Sequence, residues 1–343
     1  MLKLQELVDP YTQIYTNFIL IIVKGLNDIN PNAATLYTLF MKNEVKFSVV
    51  IPTRNRFIPL TNLLNRIIDQ SLLPYEIIIV DSSDIEQSVY GKIDASIRYI
   101  YTTEKSAAKQ RNIGMANIDA DTQFLFFLDD DTNPDSTYFE SMLGTLLSAN
   151  AIGVSGLAIN PNKNERVNPS GLAGVLKKIS FLDSKTDGKV LASGVGIPVR
   201  DIHAGIVEVE WLIGCSCWDY QKIKMLKFED DFKGHSLGED LIFSVKARKL
   251  GKLFVNTNII LDHTELPQNY SNIIKHNYMW VYYRFRLSKY VDNKIAFYPA
   301  FYLSILSKVV FSLICIPITP IASIKQIIGS TFGLMNIFRD IFR

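Results

Sequence analysis

The chain has 343 residues, 36 Lys and Arg against 34 Asp and Glu, a net charge of +2, and an apolar share of 48%. That length predicts one large core with an appendage, and the balanced charge excludes bulk attraction to a polyanion. Cys215, Cys217 and Cys315 form an odd set with no second pair or His cluster at zinc spacing, so a disulfide framework and a zinc module are both unexpected. A reducing, cytosol-facing location suits such a set.

Residues 1–45 read as a helical extension. Their apolar stretch Phe18–Val23 follows Glu6 and Asp9, which is too short and wrongly flanked for a signal peptide. From Lys46 the chain alternates strand-like and helix-like segments. Phe47–Ile51 is a β-branched run closed by Pro52, and Leu60, Leu63, Leu64, Ile67 and Ile68 then recur at helical spacing. Glu76–Val80 is a second buried strand ending on Asp81, and Ile97–Tyr101 is a third. Lys105–Ile118 is expected as a helix despite Gly114, and Phe124–Leu128 as the fourth strand. Asn133-Pro134 then reads as a helix start with Pro at the first helical position, continued by the apolar face Tyr138, Phe139, Met142, Leu143, Leu146 and Leu147. Such alternation predicts an α/β fold with a mostly parallel sheet and right-handed crossovers.

The ends of these strands carry the chemistry. The run Phe124–Leu128 stops on Asp129, Asp130 and Asp131, and unpaired carboxylates cannot continue into a core, so they must emerge at the carboxyl edge of the sheet. Asp129 and Asp131 point to the same side of an extended chain, where a divalent cation can offset their repulsion. Oxygen-only ligands favour Mg²⁺ or Mn²⁺ over zinc. A solvated turn capping the next helix through Asn133 is the alternative for the acidic triplet alone. Pro52-Thr53-Arg54-Asn55-Arg56 and Asp81-Ser82-Ser83 end the first two strands, so three polar clusters should share one edge. Arg111, on the helix between them, can reach the same crevice, and a planar guanidinium suits a diphosphate.

FSVVIPTRNR at 47–56, EIIIVDSSD at 76–84, AAKQRNIG at 107–114, FLFFLDDDT at 124–132 and GEDLIFSVKARKLG at 238–251 together resemble the inverting family 2 glycosyltransferases. The resemblance spans residues 46–265. It implies the GT-A type fold, a nucleotide-diphospho-sugar donor and a saccharide acceptor. It also implies Pro52, Thr53, Arg54, Asp81, Arg111 and Asp130 on the donor, and Asp129 and Asp131 bracketing Mg²⁺ or Mn²⁺. His263, past the strand-like Ile259–Leu261, could complete the metal site as a histidine does in some GT-A enzymes. The general base is placed in the pair Glu239-Asp240, on Asp240 first. Ser82 stands where many members carry a second acid, which weakens any inference to uracil. Trp211 is a candidate for stacking on an acceptor sugar, and residues 160–190, with their polar Asn160-Pro161-Asn162-Lys163-Asn164 stretch, are expected as a loop over the crevice. A metal-dependent nucleotidyl- or phosphoryltransferase and a non-catalytic nucleotide-binding scaffold are the other classes compatible with these residues.

Residues 266–343 change character. From Ser271 the acids are Asp292 and Asp340 alone, against nine Lys and Arg, and aromatics crowd 278–302. Basic residues mixed with Trp and Tyr suit a membrane interface rather than nucleic acid, since no nucleic-acid module accompanies them. Residues 295–318 are long enough to span, but Lys308 interrupts them, and Pro317 and Pro320 break the run before Ile321–Ile337. Helices lying in the cytoplasmic leaflet are therefore expected, with one span or a buried cap as alternatives. A lipid-linked acceptor at the cytoplasmic face of the cell membrane, in surface polysaccharide or glycolipid assembly, follows from that placement.

Overall fold

The structure, a computed structural model, describes residues 45–86, 97–159, 171–232, 234, 236–263 and 272–342. The expected helical extension at 1–45 therefore lies almost wholly outside the described residues. Nine strands join one sheet among them, in the order β3-β2-β1-β4-β8-β6-β9-β5, with β7 also on β9. The strands are β1 (Phe47–Thr53), β2 (Glu76–Asp81), β3 (Ile97–Tyr101), β4 (Phe124–Phe127), β5 (Thr132–Pro134), β6 (Gly153–Ile159), β7 (Ile206–Val209), β8 (Ser216–Asp219) and β9 (Leu253–His263). Pairing is parallel from β3 through β2 and β1 to β4, and mixed beyond, where β8 runs antiparallel to both β4 and β6. The chain runs outward from β1 to β2 and β3, then returns to place β4 on the other side of β1. That reversal opens a crevice at the carboxyl ends of β1 and β4.

Alternation along the strands divides the core between the two faces. Phe47, Val49, Ile51, Ile77, Ile79, Phe124 and Phe126 pack with helices α1 (Phe57–Ile68) and α3 (Tyr138–Ser148). Val50, Ile78, Val80, Leu125 and Phe127 point the other way, into the cluster that holds α2 (Ala107–Ala116) and the later helices. Gly114 explains itself here: a Cβ at that position would lie 2.3 Å from a Val50 methyl, so α2 can sit against β1 only with glycine at the contact. Ser106 caps α2 by accepting from the Lys109 amide.

Two expectations change. Thr132–Pro134 is a short strand paired antiparallel with β9, and α3 starts only at Tyr138. Pro134 satisfies a helix start and a ladder end equally well in local terms, and the distant strand β9 decides between them. Within 160–190, Gly171–Ile179 forms helix α4 rather than loop. The chain continues through the one-turn α5 (Tyr220–Ile223), α6 (Glu239–Ala247), α7 (Ile273–Arg286), α8 (Lys294–Ile314) and α9 (Pro320–Ile341). α8 packs Phe297, Phe301 and Ile305 into the second core cluster, while Leu306, Val310, Phe311, Leu313 and Ile314 remain exposed. α9 lies close against α7, since a Cβ on Gly329 would meet the Ile274 carbonyl oxygen at 2.3 Å and one on Gly333 would meet Val281 at 2.7 Å.

Candidate functional site

The parallel register places Thr53 opposite Asp81, and Thr53 Oγ1 donates to Asp130 Oδ2 at 2.6 Å. The ends of β1, β2 and β4 thus meet, as the strand-end pattern implies. Asp81 is buried and accepts from the Ser83 amide and hydroxyl, and from Tyr99 Oη at 2.8 Å. Gln110 on α2 seals the strand ends by donating Nε2 to the carbonyls of Thr53 and Val80, at 2.8 and 2.7 Å. Pro52 is buried at the same edge. Beside it the Ser82 hydroxyl is buried with no hydrogen-bond partner.

Each carboxylate of the acidic triplet has a cation from another element. Arg56 Nη1 contacts Asp130 at 2.9 Å and Asp131 at 2.6 Å. Arg111, only 4% exposed, donates Nη2 to Asp129 Oδ1 at 2.6 Å and also pairs with Glu239 at the start of α6. Its guanidinium lies 5.9 Å from the Phe127 ring and 5.8 Å from the Phe228 ring, so apolar walls strengthen those contacts. Room for Arg111 comes from Gly214, where a Cβ would fall 2.9 Å from Nη2. Cys215 Sγ accepts from the Asp129 amide at 3.4 Å, which fixes the turn, and both Cys215 and Cys217 are buried free thiols as their apolar setting suggests.

Glu239 and Asp240 open α6 behind Gly238, whose φ of +87° favours glycine. Glu239 is buried on Arg111, with its Oε2 lacking a partner. Asp240 accepts from the Leu241 amide at 2.8 Å. Burial pushes its carboxyl up to about 6, against the downward pull of that amide and of Arg111. Burial likewise pushes Asp130 up to about 6 although Arg56 and Thr53 oppose it.

The structure thus gathers Thr53, Asp81, Arg111, Asp129, Asp130, Asp131, Glu239 and Asp240. Arg54 stands apart: its side chain is exposed and reaches Asp84 at 3.5 Å, and Arg56 occupies the acidic edge in its place. Residues 54–56 leave the strand through Asn55 at a φ of +56°, so the alternation that would aim Arg54 inward ends before it. His263 pairs through its backbone with Thr132, next to Asp131, and its side chain lies outside the described parts. Trp211 is half-buried and donates Nε1 to the Ile197 carbonyl at 3.0 Å, which ties the segment around Gly196 to the β7–β8 connection. Sequence reasoning missed Arg56, Gln110 and Tyr99. Arg56 and Gln110 sit inside the quoted motifs, but nothing local distinguishes them from surface residues.

Asp129 and Asp131 supply the hard oxygens that Mg²⁺ or Mn²⁺ takes, and such a cation commonly keeps water and phosphate oxygens for the rest of its shell. Among the described residues no group of three or more His, Cys, Asp and Glu gathers to hold a metal by protein ligands alone. The donor set fits a cation shared with a bound diphosphate.

Residues 48–209 match the family model described as Glycosyl transferase family 2, a match that ends before Glu239 and Asp240. The fold is similar to the crystal structure of S. aureus TarS 1-349, at 16% identity and a TM-score of 0.51, over 80% of this chain and 75% of that one. It is similar also to the crystal structure of GalNAc-T7 with UDP, GalNAc and Mn²⁺, at 16% identity and a TM-score of 0.51, over 74% of this chain and 51% of that one. Identities this low establish a shared fold alone. No curated protein matches the chain.

Proposed function

We propose that this family 2 glycosyltransferase, carrying the family match at residues 48–209, moves a sugar from a nucleoside-diphosphate donor to an acceptor hydroxyl with inversion. The observation that carries the proposal is the convergence of Thr53, Asp81, Arg56, Arg111 and the Asp129–Asp131 turn on one crevice, with Asp240 at its rim. The nucleoside lies over Pro52, Thr53 and Asp81, where the unpartnered Ser82 hydroxyl offers a hydrogen bond to the base or ribose. Arg111, and Arg56 released from the carboxylates, face the diphosphate. Asp129 and Asp131, with His263 as the proposed third ligand, would hold Mg²⁺ or Mn²⁺. Such an ion, when bound, stabilises negative charge on the departing diphosphate.

The acceptor oxygen attacks the anomeric carbon from the face opposite the diphosphate. As the carbon–oxygen bond to the leaving group breaks, the acceptor proton passes to Asp240. A carboxyl held at about 6 is mostly ionised at neutral pH yet basic enough to take that proton. Glu239, fixed on Arg111, is a positioning residue for the same guanidinium.

The acceptor is proposed to be a lipid-linked saccharide at the cytoplasmic face of the membrane, in polysaccharide or glycolipid assembly. α8 and α9 are 21 and 22 residues, about 32 Å each at the helical rise, and roughly two thirds of each lies outside the protein core. That length and apolar character support membrane association, either along the leaflet or across it. Membranes carrying the protein, given radiolabelled nucleotide sugars and Mn²⁺, should pass label into lipid extract, and EDTA should stop the transfer. Label recovered as transferred phosphate would overturn sugar transfer, and full activity in excess EDTA would remove the metal from the reading.

A further inference from the structure

The seam between α7 and α8 holds cations that no acid among the described residues neutralises. His276, Trp280 and Arg284 recur every four residues on α7, while Phe301, Ser304 and Lys308 share a face of α8. Arg284 is 9% exposed. Its guanidinium lies 3.6 Å from the Trp280 ring centroid and 4.9 Å from that of Phe301, and Nη2 donates to Ser304 Oγ at 2.9 Å. Its Nε and Nη1 are buried with no partner. Lys308 Nζ lies 3.9 Å from the same Trp280 ring. The Lys that interrupts the apolar run of the sequence is thus drawn to the α7–α8 seam.

Among the described residues of this region, both acids are engaged elsewhere: Asp340 with Arg286 and Tyr282, and Asp292 with Lys249. Burial lowers the Arg284 pKa, and no carboxylate among the described residues opposes it. A buried guanidinium without a counter-ion is costly, and contact with aromatic rings offsets only part of that cost. The partner that Arg284 lacks among the described residues is an anion. Its surroundings indicate what kind: Leu306, Val310 and Phe311, all exposed, flank Lys308 on α8, so a bound anion sits at the edge of an apolar surface. Gly194 closes the other side, with a φ of +79° and a Cβ position 3.0 Å from Arg284 Cγ, in the segment whose Gly196 packs on Trp211 and Leu241 of α6.

We propose that Arg284 and Lys308, framed by Trp280 and Ser304, bind the phosphate of an amphiphile whose chain lies on the exposed apolar face of α8. This rests on the membrane reading of the C-terminal helices. Two amphiphiles carry that chemistry with a net negative charge, an anionic phospholipid and the phosphate-bearing carrier of a lipid-linked acceptor.

The test uses full-length protein, wild type and Arg284→Met, partitioned onto three kinds of vesicle: phosphatidylcholine alone, phosphatidylcholine with phosphatidylglycerol, and phosphatidylcholine with a long-chain polyprenyl phosphate. The wild type should bind one or both phosphate-bearing anionic surfaces about tenfold or more tightly than neutral vesicles, and Arg284→Met should lose that margin. A gain confined to polyprenyl phosphate identifies the carrier, and one shared with phosphatidylglycerol identifies the headgroup. In detergent without anions, Arg284→Met should melt at or above the wild-type temperature, because it removes an unneutralised buried charge. An arginine with a purely structural role would melt lower. Should Arg284→Met fail to fold, Lys308→Met, which is only half-buried, should show the same loss of anionic preference. Equal anionic preference in wild type and folded variants would overturn the proposal. The partition uses no sugar donor, so it stands apart from any failure of sugar transfer.

Discussion

The crevice at the strand ends and the seam between α7 and α8 handle buried charge in opposite ways. In the crevice, Asp129, Asp130, Asp131 and Glu239 are matched by Arg56 and Arg111, each reaching across from another element. In the seam, Arg284 and Lys308 share one indole and, among the described residues, no acid. Breaking a matched buried pair strands a charge, whereas removing an unmatched one relieves strain on the fold. A crevice whose acids are each paired can rest empty and exchange its arginines onto an incoming diphosphate. The seam is complete only with something bound.

Substitutions can break that contrast from either side. The largest expected effect lies in the crevice: Asp240→Asn should lower kcat by about 10²–10⁴-fold while the donor KM changes little, measured by steady-state transfer. A collapse in donor affinity instead would make Asp240 a binding residue and pass the role of base to Glu239. On the helical side, Gly329→Leu should separate α9 from α7, because even a Cβ there overlaps the Ile274 carbonyl. Overpacking of that kind costs about 1–3 kcal/mol, visible as a lower melting temperature in detergent with the donor KM unchanged.

A smaller effect follows from pH. Since Asp240 titrates at about 6, kcat/KM should fall below that pH, and Asp240→Asn should flatten the profile. Stability moves the other way. Asp130 and Asp240 have raised values, so the folded chain binds more protons than the unfolded one between the usual carboxylate range and about 6. Their contribution is full below that window and is lost as pH rises through it. Melting curves across pH 4 to 6.5, wild type against Asp240→Asn, would register the difference.

How much of this was legible in the sequence depends on how local the cause was. Phe47, Val49, Ile51, Phe124 and Phe126 announce buried strands through composition alone, and Asp81 and Asp129 mark where those strands stop. The crevice follows, because the carboxyl ends of parallel strands share one edge. Arg56 was not legible, since its aim depends on the turn at Asn55. The strand Thr132–Pro134 was hidden for a similar reason, as its partner β9 lies over a hundred residues away. Lys308 reads in sequence as a defect in an apolar run, and only the position of Trp280 on another helix gives it a place.

The glycine at the α2–β1 contact has a consequence for descent. Val50 and Gly114 fill one space between them, so neither position can drift in size by itself. Across relatives that keep the helix bearing Gln110 and Arg111, bulk at the two positions should trade, with alanine or serine at 114 appearing beside a smaller residue at 50. Lineages that enlarge both should have lost the arginine from the crevice, and with it the selective reason to conserve the acids it faces.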